Sequence, residues 1–332
     1  MGVLVDVKSN VVVTGGAGFI GSHLVGHLLA QGAQVTVIDD LSVGSQENIQ
    51  IGNSSLSFVP CDIRSDVAMK IYADAEMVFH LAVKNVRASL PRPRENFEIN
   101  ATATLEILEA IRAGARGKFI YFSSSEVYGN AITSTFAETT VPHPTTIYAA
   151  GKLAGEHISL AFQRTYGMDT RVIRPFNHYG SRSHFGGDSG ELIPKFILRA
   201  LVGKDLIIHG SGDQTRDFSY VGDTPYWFSK IANESSLIGE TINIGSGIEA
   251  SVLEVAKLVL KLTNSNSKIV HGENRPGDVN RLHASTEKLK GYFADFALPT
   301  NLEAGIKETI NFFSGINVED ALLEESENTW KV

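Results

Sequence analysis

The chain has 332 residues, 43% of them hydrophobic, enough to bury a substantial core in one large domain or two closely packed ones. Its 29 Lys and Arg against 37 Asp and Glu give a net charge of −8, which argues against a protein that tracks nucleic-acid phosphates with a basic stripe. About half of that deficit sits where Glu319, Asp320, Glu324, Glu325 and Glu327 face only Lys331, so a solvated acidic tail is expected over 316–332.

Cys61 is the only cysteine, which excludes an intrachain disulfide and a cysteine-based metal site and fits a reducing compartment. No apolar run approaches the roughly 18 residues needed to span a bilayer. Asp6 interrupts any signal-peptide pattern, and Gly2 lacks the Ser or Thr that myristoylation wants at position six. The sequons at Asn53, Asn100 and Asn233 then read as chance, and a cytoplasmic protein without membrane attachment is expected.

Short β-branched runs alternate with helix-length amphipathic stretches, the pattern of βαβ units on a parallel sheet. Val11–Val13 predicts the first strand, and Ile20, Leu24 and Leu28 mark one face of the following helix, with Gly32 placed to cap its end. Val35–Ile38, Leu56–Val59, Met77–Phe79 and Phe119–Phe122 predict four more strands, all five expected to be buried on both faces. Leu105, Leu108 and Ile111 put a helix between the fourth and fifth. A longer helix is predicted from Tyr148 to Tyr166, and a sixth strand at Arg171–Ile173. Beyond Gly180 the rhythm loosens, with more frequent Gly and Pro. The expected fold is α/β: a Rossmann-type doubly wound parallel sheet over 1–180 and a smaller C-terminal α/β lobe over 181–315, with the chain free to cross back between them.

Thr14-Gly15-Gly16-Ala17-Gly18-Phe19-Ile20-Gly21 joins the first strand to the first helix. Gly15 suits the tight turn, Gly18 lets backbone N–H groups approach a pyrophosphate, and Gly21 lets helix pack close to strand. Asp39 ends the second strand about 20 residues on, where a carboxylate would bond a ribose hydroxyl. Asp39 and Asp40 precede Leu-Ser-Val rather than an arginine, so a 2′-phosphate would be repelled and NAD is favoured over NADP. Asp62 could accept from an adenine amino group or cap a helix.

Tyr148 and Lys152 stand at i and i+4, and a nearby ammonium favours phenolate. The run Phe122-Ser123-Ser124-Ser125-Glu126-Val127-Tyr128-Gly129 ends the fifth strand, at the sheet edge where such folds bind ligands. His23 and His27 share a helix face without a third ligand, and no metal is expected.

Together with His80-Leu81-Ala82, Arg174-Pro175-Phe176-Asn177, Gly210–Phe218 and Arg275-Pro276-Gly277-Asp278, these motifs resemble the extended short-chain dehydrogenase/reductase family, in its nucleotide-sugar epimerase and dehydratase branch, over about residues 10 to 315. The resemblance implies NAD contacts at Gly15, Gly18, Phe19, Ile20, Gly21, Asp39, Asp62, Ile63, Leu81, Ala82, Tyr148 and Lys152. It implies a nucleotide diphosphate sugar substrate. Tyr148 would take the proton from the sugar 4-hydroxyl, Lys152 would hold the ribose and lower the tyrosine pKa, and Ser124 would bond O4. Asn177, Arg216 and Arg275 would bind the diphosphate, Leu192-Ile193-Pro194-Lys195 would line the base pocket, and Lys84 or Arg87 would either meet a sugar carboxylate or stand as loop charges. A homodimer through the helices around 100–112 and 148–166 is implied as well.

Glu126 separates the reactions that can follow C4 oxidation. A C4 ketone acidifies the C5 proton, and a carboxylate beside C5 can remove it so that water leaves from C6. That points to a 4,6-dehydratase, although Ser125 stands where dTDP-glucose dehydratases carry Asp, and the Ser-Ser-Glu run is similar to GDP-mannose dehydratases and UDP-glucuronate decarboxylases. A 4-epimerase, a decarboxylase and, in a different class, a non-catalytic NAD- or nucleotide-binding regulator stay open.

Overall fold

In a computed structural model the protein is described over residues 10–114, 117–130, 133–186, 190–274 and 279–317. The Val11–Val13 run forms β1 (Asn10–Thr14), and α1 (Phe19–Ala30) follows, laying Leu24, Val25 and Leu28 on the sheet. Gly32, at φ +89°, turns the chain out of α1 in the left-handed region that a side chain would resist. Then come β2 (Gln34–Ile38), β3 (Leu56–Val59), α2 (Asp66–Asp74) and β4 (Met77–His80). The short α3 (Pro93–Phe97) runs through one wide turn into α4 (Ala103–Gly114), before β5 (Lys118–Phe122), α5 (Ile147–Tyr166) and β6 (Thr170–Pro175).

Past residue 176 the elements shorten: β7 (Asn177–Tyr179), α6 (Leu192–Leu201), β8 (Leu206–His209), β9 (Thr215–Tyr220), α7 (Pro225–Asn233), β10 (Thr241–Ile244), β11 (Glu249–Ser251), α8 (Val252–Thr263), β12 (Ile269–Gly272), β13 (Arg281–Leu282), α9 (Glu287–Tyr292) and α10 (Leu302–Phe313). The large sheet has seven strands in the order β3-β2-β1-β4-β5-β6-β10, and every neighbouring pair is parallel. Its direction of growth reverses between β1 and β4, the point where such sheets open a ligand crevice. After β9 the chain returns, so that α7 packs on α1 and β10 pairs with β6. A smaller sheet of β11, β9 and β13, with β7 against β9, and the β12–β8 pair build the second lobe around Ile197, Leu206, Val255, Val259 and Phe313.

Two local expectations are corrected. β3 is the edge strand, where Ser57 is exposed and its neighbours are half-buried, because among the described residues no strand pairs with its outer side. In α4 the core positions are Ala103, Thr104, Ile107, Leu108 and Ile111, whereas Leu105 is 38% exposed.

One buried polar network ties the layers together. Arg174 on β6 donates to both oxygens of Glu156 on α5, at 2.8 and 2.6 Å, and to the Tyr128 hydroxyl at 2.8 Å. Tyr128 donates to Asn243 on β10 at 2.7 Å, and Asn243 donates to the Phe136 carbonyl at 2.9 Å. Burial works against the Arg174 charge, but the Glu156 carboxylate outweighs it and raises the guanidinium pKa. Glu156→Ala would leave that guanidinium buried and unpaired. A loss of about 3–5 kcal/mol is expected, read as a lowered urea midpoint with an unchanged slope.

Candidate active site

The C-terminal ends of β1, β2, β4 and β5 open into a cleft of about 1260 Å³ that continues between the lobes. Its cofactor half is shaped by close backbone approach. Gly15 stands at φ +68°, and an added Cβ would meet the Ala82 amide nitrogen at 2.7 Å. At Gly21 an added Cβ would run into the Gly15 carbonyl. Gly18 caps α1 without a side-chain bond, so first-turn N–H groups of this helix face the cleft together with Phe19, Ile20 and Gly21. Thr14 holds the floor by contacting His80 Nδ1 at 2.8 Å and accepting from the Ala82 amide at 3.1 Å, next to Leu81.

Asp39 is buried at the end of β2, accepting from Ala17 N at 3.0 Å and Leu41 N at 2.9 Å, and burial raises its pKa. The bond to Leu41 supports a left-handed backbone (φ +57°) that costs a leucine about 1–3 kcal/mol. Asp62 and Ile63 line the same half. Asp62 caps no helix, since Ser65 takes that role for α2. Arg64 instead grips both of its oxygens and holds the carboxyl below its usual range. A glycine cradle, a carboxylate at the second strand's end and exposed first-turn amides fit NAD.

The half that holds the candidate catalytic residues is built by two turns. Thr146 caps α5, accepting from Ala149 N at 3.1 Å, which fixes Tyr148 in the first turn and Lys152 one turn on. Ser124 accepts from Glu126 N at 3.2 Å and starts the tight helical turn Ser125–Tyr128. Ser124, buried Ser125, Glu126, Tyr148 and Lys152 all line the cleft. Burial pushes the Tyr148 phenol up to about 12; a hydrogen bond from Ser124 opposes this, and the nearby charges of Glu126 and Glu191 add to it. Burial likewise takes the Lys152 ammonium down to about 7 against the pull of Glu156, and its Nζ lies 4.8 Å from the centre of the Tyr121 ring. In the free protein desolvation dominates both groups.

In the substrate half, Asn177 lines the cleft with a buried Oδ1 that has no partner among the described residues, and Ser123 Oγ is in the same position. Arg216 lines it too, only 9% exposed. The neighbouring Asp217 braces that strand by accepting from Ser246 N at 2.7 Å and Gly247 N at 2.9 Å. Leu192, Ile193 and Pro194 line the wall, and the stem of the adjoining Lys195 comes close to Gly190. Lys84 lines the cleft at its cofactor end, with its ammonium 3.5 Å from Ser42 and 3.6 Å from Glu95. Arg275 lies outside the described residues.

Glu191 is a cleft residue that sequence reasoning did not assign, and Arg87 and His184 line the cleft with it. Glu191 is partly open to the cleft and walled by protein elsewhere. Burial pushes its carboxyl up to about 8, with Arg87 acting in the opposite sense. Burial and Arg87 bring His184 down to about 4. The available signal was a carboxylate directly before the apolar run of α6 with no Ser or Thr to cap it. His178 is buried against the Phe176 carbonyl (2.8 Å) and Thr224 (3.2 Å). His23 bonds the Ser181 carbonyl at 3.0 Å, and His27 packs edge-on to Tyr226. Among the described residues there is no group of three metal-ligating side chains, and no helix is long and apolar enough to cross a membrane.

A family model described as the NAD dependent epimerase/dehydratase family matches residues 11–245. The chain belongs to this family. It is 33% identical to UDP-glucuronic acid decarboxylase 1 of Danio rerio over 92% of this chain and 73% of that one. It is 34% identical to a putative UDP-glucose 4-epimerase of Methanocaldococcus jannaschii over 92% of this chain and 99% of that one. The structure of DesIV, a dTDP-glucose 4,6-dehydratase from Streptomyces venezuelae with NAD and TYD bound, superposes with a TM-score of 0.85 at 27% identity, covering 92% of this chain and 97% of that one. This family member is thus an NAD-dependent enzyme whose relatives modify nucleotide sugars. Its Asp39 provides a direct test of cofactor choice. Asp39→Asn removes charge-assisted bonding to a ribose, so NAD affinity is expected to fall about 10- to 100-fold while the preference over NADP narrows, both read by calorimetric titration.

Proposed function

We propose that this protein is an NDP-hexose 4,6-dehydratase that forms a 4-keto-6-deoxy sugar. The observation that carries this reading is the Glu126 carboxylate in the cleft, close enough to bear on Tyr148 beside Ser124. NAD, when bound, supplies reversible hydride storage. Tyr148, bonded to Ser124, takes the 4-hydroxyl proton, and Lys152 holds the ribose. Glu126 takes the C5 proton that the C4 ketone has acidified. Asn177, Arg216 and Arg275 hold the diphosphate, and Leu192 to Pro194 line the base pocket.

The 4-epimerase named among the relatives needs no base at C5, which would leave Glu126 without a task. A decarboxylase needs a cationic seat for a sugar carboxylate; Arg87 lines the cleft, but Lys84 is engaged at the cofactor end and the Glu126 carboxylate in the same cleft would repel a uronate. A lyase acting on an uncharged C6 suits these walls better. The same proposal includes a homodimer through α4 and α5, since Phe97, Leu105 and Tyr166 are all exposed on or beside those helices.

Incubation with a panel of nucleotide hexoses should give a product lighter by one water and carrying a ketone, seen by mass spectrometry. Unchanged mass with inverted C4, or loss of carbon dioxide from a uronate, would replace the dehydratase reading. Glu126→Gln should lower dehydration about 10²- to 10⁴-fold while C4 oxidation persists as reduced-nicotinamide absorbance. Leu105→Glu should shift the protein to monomer by light scattering.

A further inference from the structure

We infer that Glu191 is the acid that protonates the departing 6-hydroxyl, working opposite Glu126 as the C5 base. This rests on the dehydratase reading above.

Hydroxide is a poor leaving group, so elimination from C6 needs a proton donor that is still protonated near neutral pH. The other cleft groups each fail on chemistry. Ser125 is a buried hydroxyl with no acidity to offer. Tyr148 and Glu126 are occupied in accepting protons, Arg87 is a guanidinium that does not release one, and Lys152 is committed to the ribose. His184 is held near 4 and is a neutral imidazole at pH 7.

Glu191 has the position and the proton. It sits immediately before α6, and its amide donates to the His184 carbonyl at 2.7 Å, which fixes the backbone that carries it. Its side chain lines the same cleft as Glu126 and lies near enough to Tyr148 that both carboxyls act on the phenol. The recessed wall keeps the acid form even with Arg87 nearby. The surroundings thus push the two carboxyls into different roles, as enzymes that pair an acid with a base require.

The proton transfers balance within the chain's own groups, and the hydride removed from C4 and stored on the nicotinamide is the one that saturates C6. The C5–H bond breaks with its proton passing to Glu126, and the electron pair forms the C5–C6 double bond. The C6–O bond breaks as the Glu191 proton moves to the leaving oxygen, releasing water. Glu126 later returns its proton to C5. The proton that Tyr148 took from the 4-hydroxyl restores Glu191, so no external acid or base is consumed.

Glu191→Gln keeps size and hydrogen bonding but removes the acid. With an NDP-hexose that the wild type dehydrates, this variant should still oxidise C4 and still exchange the C5 hydrogen with deuterated water. Its dehydration rate should drop about 10²- to 10⁴-fold with KM nearly unchanged. The 6-deoxy-6-fluoro analogue loses fluoride without protonation, so on it the variant should recover to within about tenfold of wild type, read as fluoride release. Dehydration at the wild-type rate by Glu191→Gln would overturn the inference. So would loss of C5 exchange, or failure of the fluoro substrate to rescue, since either would make Glu191 a binding or structural group. A wild type that dehydrates no nucleotide hexose would overturn the dehydratase reading itself, and the inference with it.

Discussion

The bidentate pairing of Arg174 with Glu156, extended through Tyr128 to Asn243, is the constraint on which the site's geometry depends. Glu156 lies one turn beyond Lys152 on α5, and Tyr128 closes the turn that begins at Ser124. The serine turn and the tyrosine helix are therefore clamped to one guanidinium on β6 and to one amide on β10. A buried ion pair of this kind adds little net stability over a well-packed apolar alternative, yet it tolerates few other arrangements. Here it fixes the register of the serine turn against the tyrosine helix.

Electrostatics in the cleft is governed by desolvation more than by pairing. Tyr148, Lys152, Glu191 and His184 are each pushed toward the neutral form. A ligand carrying fixed charges then meets buried groups with little charge of their own, while Arg87, Arg182, Arg216 and the first turn of α1 line the same cleft. This reconciles a chain of net charge −8 with anionic ligands: phosphate recognition is local, through helix amides and placed guanidinium groups, while the overall sign is set partly by the C-terminal residues.

The sheet's first strands and the glycine turn were legible because they depend on local rules: β-branched runs, an interval of about 20 residues to Asp39, and glycine where backbones nearly touch. The Ser124, Glu126, Tyr148 and Lys152 cluster was legible as a set of residue types at sheet edges. What could not be read was anything decided by long-range packing. The exposed side of β3 follows from its place at the sheet's edge. The Lys195 stem comes close to Gly190, and Glu191 stands at the cleft wall with its amide donating to the His184 carbonyl. The burial of Tyr148 and Lys152 was out of reach for the same reason, since i, i+4 spacing reports proximity but not burial.

The return of the chain to place Thr241–Ile244 beside β6 has a consequence for how this protein can be made and recombined. During vectorial synthesis, a ribosome that has released only residues 1–180 has exposed β6 as a bare edge, with its ladder of backbone groups unpaired and Tyr128 without Asn243. The cofactor lobe completes only after the first elements of the second lobe, through β9, have been translated. The two lobes are thus not exchangeable cassettes: grafting a different sugar-binding half onto this one would have to preserve the seventh strand and the amide it delivers.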